Sequence, residues 1–162
     1  MKDAVGTLSL TYTAEPGSVP LARSALREFA LAAGASEQQV DDVRLAGSEA
    51  VTNAVVHAYR DQPGEIYVTA AIVSDGLWVL IADDGCGMEP RADRPGLGLG
   101  LGLISRVSDE LAIVPRASGG TEVRMRFKID AEGRTREPAA ASEKSESGPA
   151  ARRLRYFRQT LA

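Results

Sequence analysis

Alternating and apolar segments along the chain predict the first strands of a sheet. Residues 7–13 alternate between polar and apolar side chains, which predicts a strand with one buried face, at an edge of the sheet. Residues 65–74 and 77–82 predict two strands joined by a tight Ser-Asp-Gly turn at 74–76. Because the segment 77–82 is apolar throughout, we expect it at the centre of the sheet.

Two further strands are predicted near the end of the patterned region, at residues 111–115 and 121–129. In the last strand Val, Met, Phe and Ile alternate with charged residues, from Glu122 to Lys128. The sheet is therefore expected to have one face in water.

Apolar residues at helical spacing predict the first helix at residues 19–33, closed by Gly34. The stripe expected to face the core consists of Leu21, Ala25, Phe29 and Ala32. Arg23 and Arg27 would then project outward.

A second helix is predicted to begin at Ser36, where Ser-x-x-Gln39 matches a capping box. It should continue for about six turns until the Pro-Gly pair at 63–64 forbids a helix. The Gly-, Pro- and Asp-rich segment 83–102 predicts irregular structure, followed by a third helix at 101–109.

The order strand, helix, helix, strand, strand, helix, strand, strand predicts an α/β (α+β) two-layer sandwich. Hairpins favour a mixed, mostly antiparallel sheet with three helices on one face. This domain should cover residues 1–130. Residues 131–150 lack apolar periodicity and predict a disordered linker, whereas 151–162 predict either a solvated tail or a basic amphipathic helix.

The charge of the chain indicates which class of partner to expect. The chain of 162 residues has a net charge of −3, with 44% hydrophobic and 25% charged residues. Residues 131–162 hold seven Lys and Arg against four Asp and Glu, so residues 1–130 hold 12 against 18 and carry about −6. Such an acidic domain is a poor match for the phosphate backbone, so we expect no direct nucleic-acid partner.

The single cysteine, Cys86, excludes an intramolecular disulfide and a cysteine-rich metal site. No run of 18 uncharged apolar residues occurs, and the N-terminus lacks a basic region followed by an apolar one. We therefore expect a cytoplasmic protein without a membrane span.

Four short motifs carry candidate chemistry. Glu49, Asn53 and His57 are spaced four apart, so they should form a polar row along one helix face, towards a ligand or towards water. Asp83-Asp84-Gly85-Cys86-Gly87 follows the buried strand and predicts a turn or a ligand-binding loop. Glycines alternate with leucines from 96 to 102, which predicts a flexible linker or a phosphate-binding loop. Gly119-Gly120-Thr121 predicts a turn before a strand.

Together these motifs resemble the N, G1, G2 and G3 boxes of the GHKL (Bergerat-fold) ATPases. The matching positions are Glu49, Asn53, Asp83, Gly85, Gly87, Gly98, Gly100, Gly102, Gly120 and Thr121. Within this superfamily, Ser-Glu-Ala-Val-Thr-Asn-Ala at 48–54 followed by His-Ala-Tyr at 57–59 looks most like the anti-sigma-factor serine/threonine kinases of the RsbW type. The resemblance covers about residues 7–129.

The resemblance implies ATP and Mg²⁺ as cofactors. Asp83 would accept a hydrogen bond from the adenine amino group, with support from the Thr121 hydroxyl. Asn53 would hold Mg²⁺ through its carbonyl oxygen, and Glu49 would be the catalytic base that takes a proton from serine or water. His57 would lie near phosphate or be a structural helix residue.

The other implied nucleotide contacts come from the glycines and from two arginines. Gly98, Gly100 and Gly102 would hold phosphates in the glycine-rich box. Arg91 or Arg94 could neutralise the γ-phosphate. Residues 88–95 form a shorter lid than these kinases usually carry, which favours a binding protein over a kinase.

The resemblance also implies partners. The protein would bind a sigma factor, phosphorylate a serine or threonine on an anti-sigma-factor antagonist, and form a homodimer. The alternatives are a nucleotide-gated regulator without kinase activity, and an ATPase or ATP-binding half that works with a separate phosphoacceptor.

Overall fold

A computed structural model describes residues 6–87 and 97–129, with the backbone alone for 97–99. The described residues belong to one compact unit, residues 1–131. Arg91 and Arg94, the predicted linker at 131–150 and the predicted tail at 151–162 lie outside the described residues.

Five antiparallel strands form one sheet in the order β1-β2-β3-β5-β4. Their bounds are β1 Leu8–Thr13, β2 Glu65–Val73, β3 Gly76–Asp83, β4 Glu110–Pro115 and β5 Thr121–Lys128. As predicted, β1 is an edge strand and β3, buried along its whole length, is central. The β2–β3 hairpin turns at Ser74 and Asp75, because Val73 already pairs with Gly76.

Three helices complete the two-layer α/β fold: α1 Ser18–Ala32, α2 Glu37–His57 and α3 Leu97–Val107. They cover one face of the sheet, and the core lies between the two layers. Its largest fully buried side chains are Leu26, Ile66, Leu77, Ile104, Met125, Val43, Val51, Val68 and Val79. The predicted fold class is confirmed, and every strand pair among the described residues is antiparallel.

The buried stripe of α1 differs from the predicted one. Ala22, Leu26 and Ala30 are buried, whereas Leu21 is 59% exposed. Nearly every residue of this helix is apolar or small, so two stripes one residue apart have the same period and the pattern cannot choose between them. The close approach of Leu26 to Gly47 of α2 selects the observed stripe.

Helix α2 begins as predicted but ends earlier. The Ser36 hydroxyl accepts from the Gln39 N–H at 3.3 Å, and the Gln39 side chain accepts from the Ser36 N–H at 2.9 Å, which confirms the capping box. The helix ends at His57, before the Pro-Gly pair at 63–64. Arg60 and Asp61 have positive φ, so the backbone has already left the helical conformation.

Helix α3 begins at Leu97, four residues earlier than predicted, and contains Gly98, Gly100 and Gly102. Glycine in a helix costs about 1 kcal/mol relative to alanine. Packing compensates for this cost, because Ile104 is fully buried and Leu101 packs against the core.

The face of the sheet opposite the helices is less exposed to solvent than predicted. Glu122 is buried, and its carboxylate pairs with the Arg124 guanidinium at 2.5 Å. Arg126 lies over the ring of Trp78, with 5.9 Å from its guanidinium to the ring centre. Arginine stems and ion pairs therefore shield apolar surface on this side.

None of the described helices is both long enough and apolar enough to cross a membrane.

Candidate nucleotide site

A cleft opens between α2 and the ends of strands β3 and β5. Two kinds of side chain line it: small or apolar residues, and a group of polar ones from three segments. The lining residues are Ala50, Asn53, Ala54, His57, Ala58, Ile81, Asp83, Gly87, Thr121 and Val123. The structure thus brings together five positions from the sequence motifs. They are Asn53 and His57 of the helix motif, Asp83 and Gly87 of the loop at 83–87 (the Asp83 loop), and Thr121 after the turn at 119–120.

Asp83 is the last residue of β3 and lies in the cleft with 7% of its surface exposed. Its Oδ1 accepts from the N–H of Gly85 at 2.9 Å and from the N–H of Thr121 at 3.3 Å. These two bonds hold one carboxylate oxygen in place. The carboxylate can therefore accept a further hydrogen bond in a fixed direction.

Burial raises the pKa of Asp83 above its ordinary value, and the adjacent Asp84 raises it further. The N–H groups of Gly85 and Thr121 and the charge of Arg116 oppose this rise. The site therefore balances the cost of a buried carboxylate against bonds to its charged form.

Asn53 lies on α2 facing the cleft, with 9% of its surface exposed. Its Nδ2 is buried and has no hydrogen-bond partner among the described residues. Such an atom normally finds a partner in proteins, because an unsatisfied buried polar group is costly. An oxygen-rich ligand at this position fits the side chain.

Glu49 lies one turn before Asn53 and is half-buried. It is not among the residues that line the cleft. An ideal Cβ on Gly100 of α3 would lie 3.0 Å from Glu49 Oε2 and 3.4 Å from Asn53 Nδ2. A glycine at this position therefore lets α3 pack directly against the polar row of α2.

The glycines of the Asp83 loop have two different roles. An ideal Cβ on Gly85 would overlap the carbonyl oxygen of Ala58, so this glycine allows the loop to pack on the end of α2. The close neighbour of Gly85 is therefore protein and not space for a ligand. Gly87 has φ of 77°, and it lines the cleft.

Gly120 forms a turn before β5, as predicted. Its φ is 80°, and an ideal Cβ would overlap the carbonyl oxygen of Asp83. This close approach places the N–H of Thr121 next to the Asp83 carboxylate.

The glycine run at 98–102 forms helix instead of the predicted loop. In a helix the N–H groups that lack a backbone partner are those of the N-cap and of the first three helical residues, which are residues 97–99 in α3. Gly98 is one of these residues and Gly100 completes the first turn, where an anion can be held. Gly102 lies beyond that turn and is exposed.

Comparison with known proteins identifies the family. Residues 12–127 match the family described as the histidine kinase-like ATPase domain. The chain belongs to that family. This finding confirms the resemblance to GHKL ATPases that the four motifs carry.

Two relatives of this chain are named as an anti-sigma factor and a serine-protein kinase. An anti-sigma F factor of Clostridium acetobutylicum is 29% identical over 133 residues, which are 75% of this chain and 93% of the relative. The serine-protein kinase RsbW of Bacillus licheniformis is 32% identical over 129 residues, which are 70% of this chain and 81% of the relative.

A solved structure shares the fold. The structure of the RsbU and RsbW domains of Rv1364c from Mycobacterium tuberculosis aligns with a TM-score of 0.63 and 26% identity. The alignment covers 82% of this chain and 35% of that one.

Sequence reasoning missed the apolar lining of the cleft in this ATPase domain. Ala50 and Ala54 of α2, and Ala58 directly after it, form a row at four-residue spacing opposite Ile81 and Val123 of the sheet. The signal was in the sequence, since the alanines repeat beside the polar row. Small side chains leave room for a flat apolar ligand between helix and sheet.

Proposed function

We propose that this protein is an anti-sigma factor that uses ATP and Mg²⁺ to phosphorylate a serine or threonine on an antagonist protein. The observation that carries the proposal is the cleft, where the fixed Asp83 carboxylate faces an alanine-lined wall near Asn53. Family membership and the names of the relatives support it. Because sigma factors act in transcription, the proposal places the protein in the cytoplasm.

Adenine recognition is assigned to Asp83 and Thr121. A carboxylate oxygen held by two N–H groups would accept a hydrogen bond from the adenine amino group, while the alanine row and Val123 contact the ring. Gly87 lines the same cleft and leaves the ligand room.

Mg²⁺ and the triphosphate are assigned to the other half of the site. Asn53 would hold Mg²⁺ with its amide oxygen, and the ion would supply positive charge to the phosphates. The buried Asn53 Nδ2, which has no partner among the described residues, is a donor and would bond a phosphate oxygen beside the ion. Gly98 and Gly100 would hold phosphate at the start of α3, with His57, Arg91 or Arg94 near the phosphates. Gly102 lies too far along the helix for that role.

Glu49 is assigned as the catalytic base. It would take the proton from the hydroxyl of the antagonist as that oxygen meets the γ-phosphate. It lies on the same face of α2 as Asn53, next to Gly100.

A second candidate is a nucleotide-gated binding protein without kinase activity, or an ATP-binding half that serves a separate phosphoacceptor. The position of Glu49 favours this candidate, because Glu49 packs towards Gly100 and does not line the cleft.

Incubation with γ-labelled ATP, Mg²⁺ and a candidate antagonist separates these functions. A kinase transfers the label to the antagonist, whereas a bare ATPase releases labelled phosphate and a binding module does neither. Glu49→Ala is the control, since it should bind ATP but transfer no label. Label transfer that persists in Glu49→Ala at the wild-type rate would contradict the assignment of the base.

A further inference from the structure

Arg116 lies in the β4–β5 connection and contacts the loop that carries Asp83 at two points. One guanidinium nitrogen donates to the carbonyl oxygen of Asp83 at 3.1 Å and to Oδ1 of Asp84 at 2.7 Å. The guanidinium also lies over the ring of Tyr67, 5.2 Å from the ring centre. Its side chain is 25% exposed, so solvent screens these contacts only partly.

Asp84 is held by two further groups. The Ser118 hydroxyl donates to Oδ1 of Asp84 at 2.9 Å, from the same connection as Arg116. The N–H of Asp84 donates to the Tyr59 hydroxyl at 2.9 Å, and that hydroxyl in turn donates to the carbonyl oxygen of Glu65. The peptide that follows Asp83 is thus fixed from both sides of the loop.

Arg116 binds the backbone carbonyl of Asp83, and the side-chain carboxylate of Asp83 lines the cleft. Asp83 Oδ1 is bonded to two N–H groups, and one of them belongs to Thr121, five residues after Arg116. Arg116 in the β4–β5 connection therefore binds the backbone carbonyl of Asp83, and Thr121 at the start of β5 binds its carboxylate. Arg116 belongs to none of the four motifs found in the sequence.

We infer that Arg116 is a positioning residue, which fixes the Asp83 carboxylate in the direction that accepts the adenine amino group and rejects guanine. The inference rests on the proposed function. Guanine carries a carbonyl oxygen where adenine carries its amino group, so a fixed carboxylate meets it with two acceptors and no proton between them. A carboxylate that can turn away avoids this repulsion, and discrimination falls.

The charged groups around Asp83 give the inference a second consequence. They are Arg116 and Asp84 on the sheet side, with His57 of α2 lining the same cleft. Arg116 opposes the effects of burial and of Asp84 on the pKa of Asp83. Loss of Arg116 should raise that pKa further, so that the carboxylate becomes protonated at a higher pH.

Arg126 provides a matched control. It pairs with Glu110 at 2.6 Å and with Asp75 at 2.9 Å, and it lies over Trp78. It thus repeats the arrangement of arginine, carboxylate and aromatic ring, at the end of β3 opposite Asp83. Arg126→Met and Arg116→Met remove the same kinds of contact, but only the second removes them from the Asp83 loop.

The experiment compares Arg116→Met, Arg116→Lys and Arg126→Met in the full chain. Calorimetry measures the affinities for Mg-ATP and Mg-GTP, and NMR follows the Asp83 carboxyl titration without nucleotide. Arg116→Met should weaken ATP binding about tenfold and lower the ATP-to-GTP affinity ratio by a similar factor, which corresponds to one charged hydrogen bond. It should also raise the pKa of Asp83, and Arg116→Lys should restore that pKa while recovering only part of the ratio.

Arg126→Met should lower thermal stability and leave the nucleotide ratio and the Asp83 titration unchanged. The inference is overturned if Arg116→Met behaves in the same way. If the wild-type protein binds neither nucleotide, the proposed function fails, while the titration still decides the role of Arg116. An Asp83 titration that is identical in wild type and Arg116→Met would then overturn the inference independently.

Discussion

Gly85 lies against Ala58, so closely that any side chain at Gly85 would overlap the Ala58 carbonyl oxygen. The neighbouring N–H of Cys86 donates to that same carbonyl oxygen at 2.7 Å. The last turn of α2 and the Asp83 loop are therefore one packed unit, which joins the two motifs that form the opposite sides of the cleft.

The substitution Gly85→Ala should consequently destabilise the fold by about 1–3 kcal/mol, because the backbone must move to accept the methyl group. Denaturant unfolding measures the change. Gly17→Ala is the control, since an added Cβ there has no atom within 4 Å and φ is −62°. Equal stability of the two variants would show that the loop and helix are not tightly packed.

Asp83→Asn should weaken ATP binding by about 1–3 kcal/mol, because the neutral amide is a weaker acceptor than the carboxylate. Calorimetry of the folded variant gives the affinity. Asp41→Asn removes another carboxylate on the exposed side of α2, where it pairs with Arg44, and should leave ATP binding unchanged. An unaltered affinity in Asp83→Asn removes adenine recognition from this residue.

The adjacent carboxylates Asp83 and Asp84 should have opposite effects on stability as the pH changes. Burial raises the pKa of Asp83. Its contribution to stability is therefore fully present below the unfolded value of about 3.9 and is lost as the pH rises through the raised pKa. Asp83→Asn should then be more stable than wild type at neutral pH, with a difference that disappears in acid.

Burial also acts to raise the pKa of Asp84, but hydrogen bonds from Ser118 and Tyr67 and the charge of Arg116 hold it below its usual range. Asp84 stabilises the fold above its unfolded pKa of about 3.9, and this stability is lost as the pH falls through the lowered pKa. Asp84→Asn should therefore be less stable than wild type at neutral pH. Unfolding curves at several pH values test both signs, and two variants that change in the same direction would contradict this account.

Substitutions at Glu49 and Asn53 should have different effects on phosphoryl transfer and on Mg²⁺ binding. Asn53→Ala should lose the tightening of ATP binding that Mg²⁺ produces, because its amide is the assigned metal ligand. Glu49→Ala should keep that tightening and lose phosphoryl transfer. ATP titrations with and without Mg²⁺, combined with label transfer, distinguish the two. If both variants lose binding equally, the polar row is structural.

The exposed edge strand β1 is proposed as part of a homodimer interface, since an unpaired strand edge favours pairing with a second copy. Light scattering at tens of micromolar protein should give twice the mass of one chain, 17.1 kDa. Replacing Thr11 by Pro, on the exposed side of β1, should remove a backbone donor and shift the mass towards the monomer. A monomer in the wild-type protein would rule out the dimer.

Local patterns in the sequence determined much of the fold. Polar alternation located β1, continuous apolar character located β3, and a capping box located the start of α2. These features depend on neighbours within a few residues, so the chain encodes them locally. The order of the four motifs was specific enough to indicate the family.

Tertiary packing decided what local patterns leave open. The buried stripe of α1 depends on Leu26 meeting Gly47, and the helical start of α3 depends on packing that outweighs the cost of its glycines. Asp83 meets Thr121 across 38 positions, and Arg116 meets Asp84 across 32. Contacts between residues so far apart carry no periodic signal, because they arise only when the sheet brings the strand ends together. The sequence therefore determined the family, and the tertiary structure decided which residues hold the Asp83 carboxylate in place.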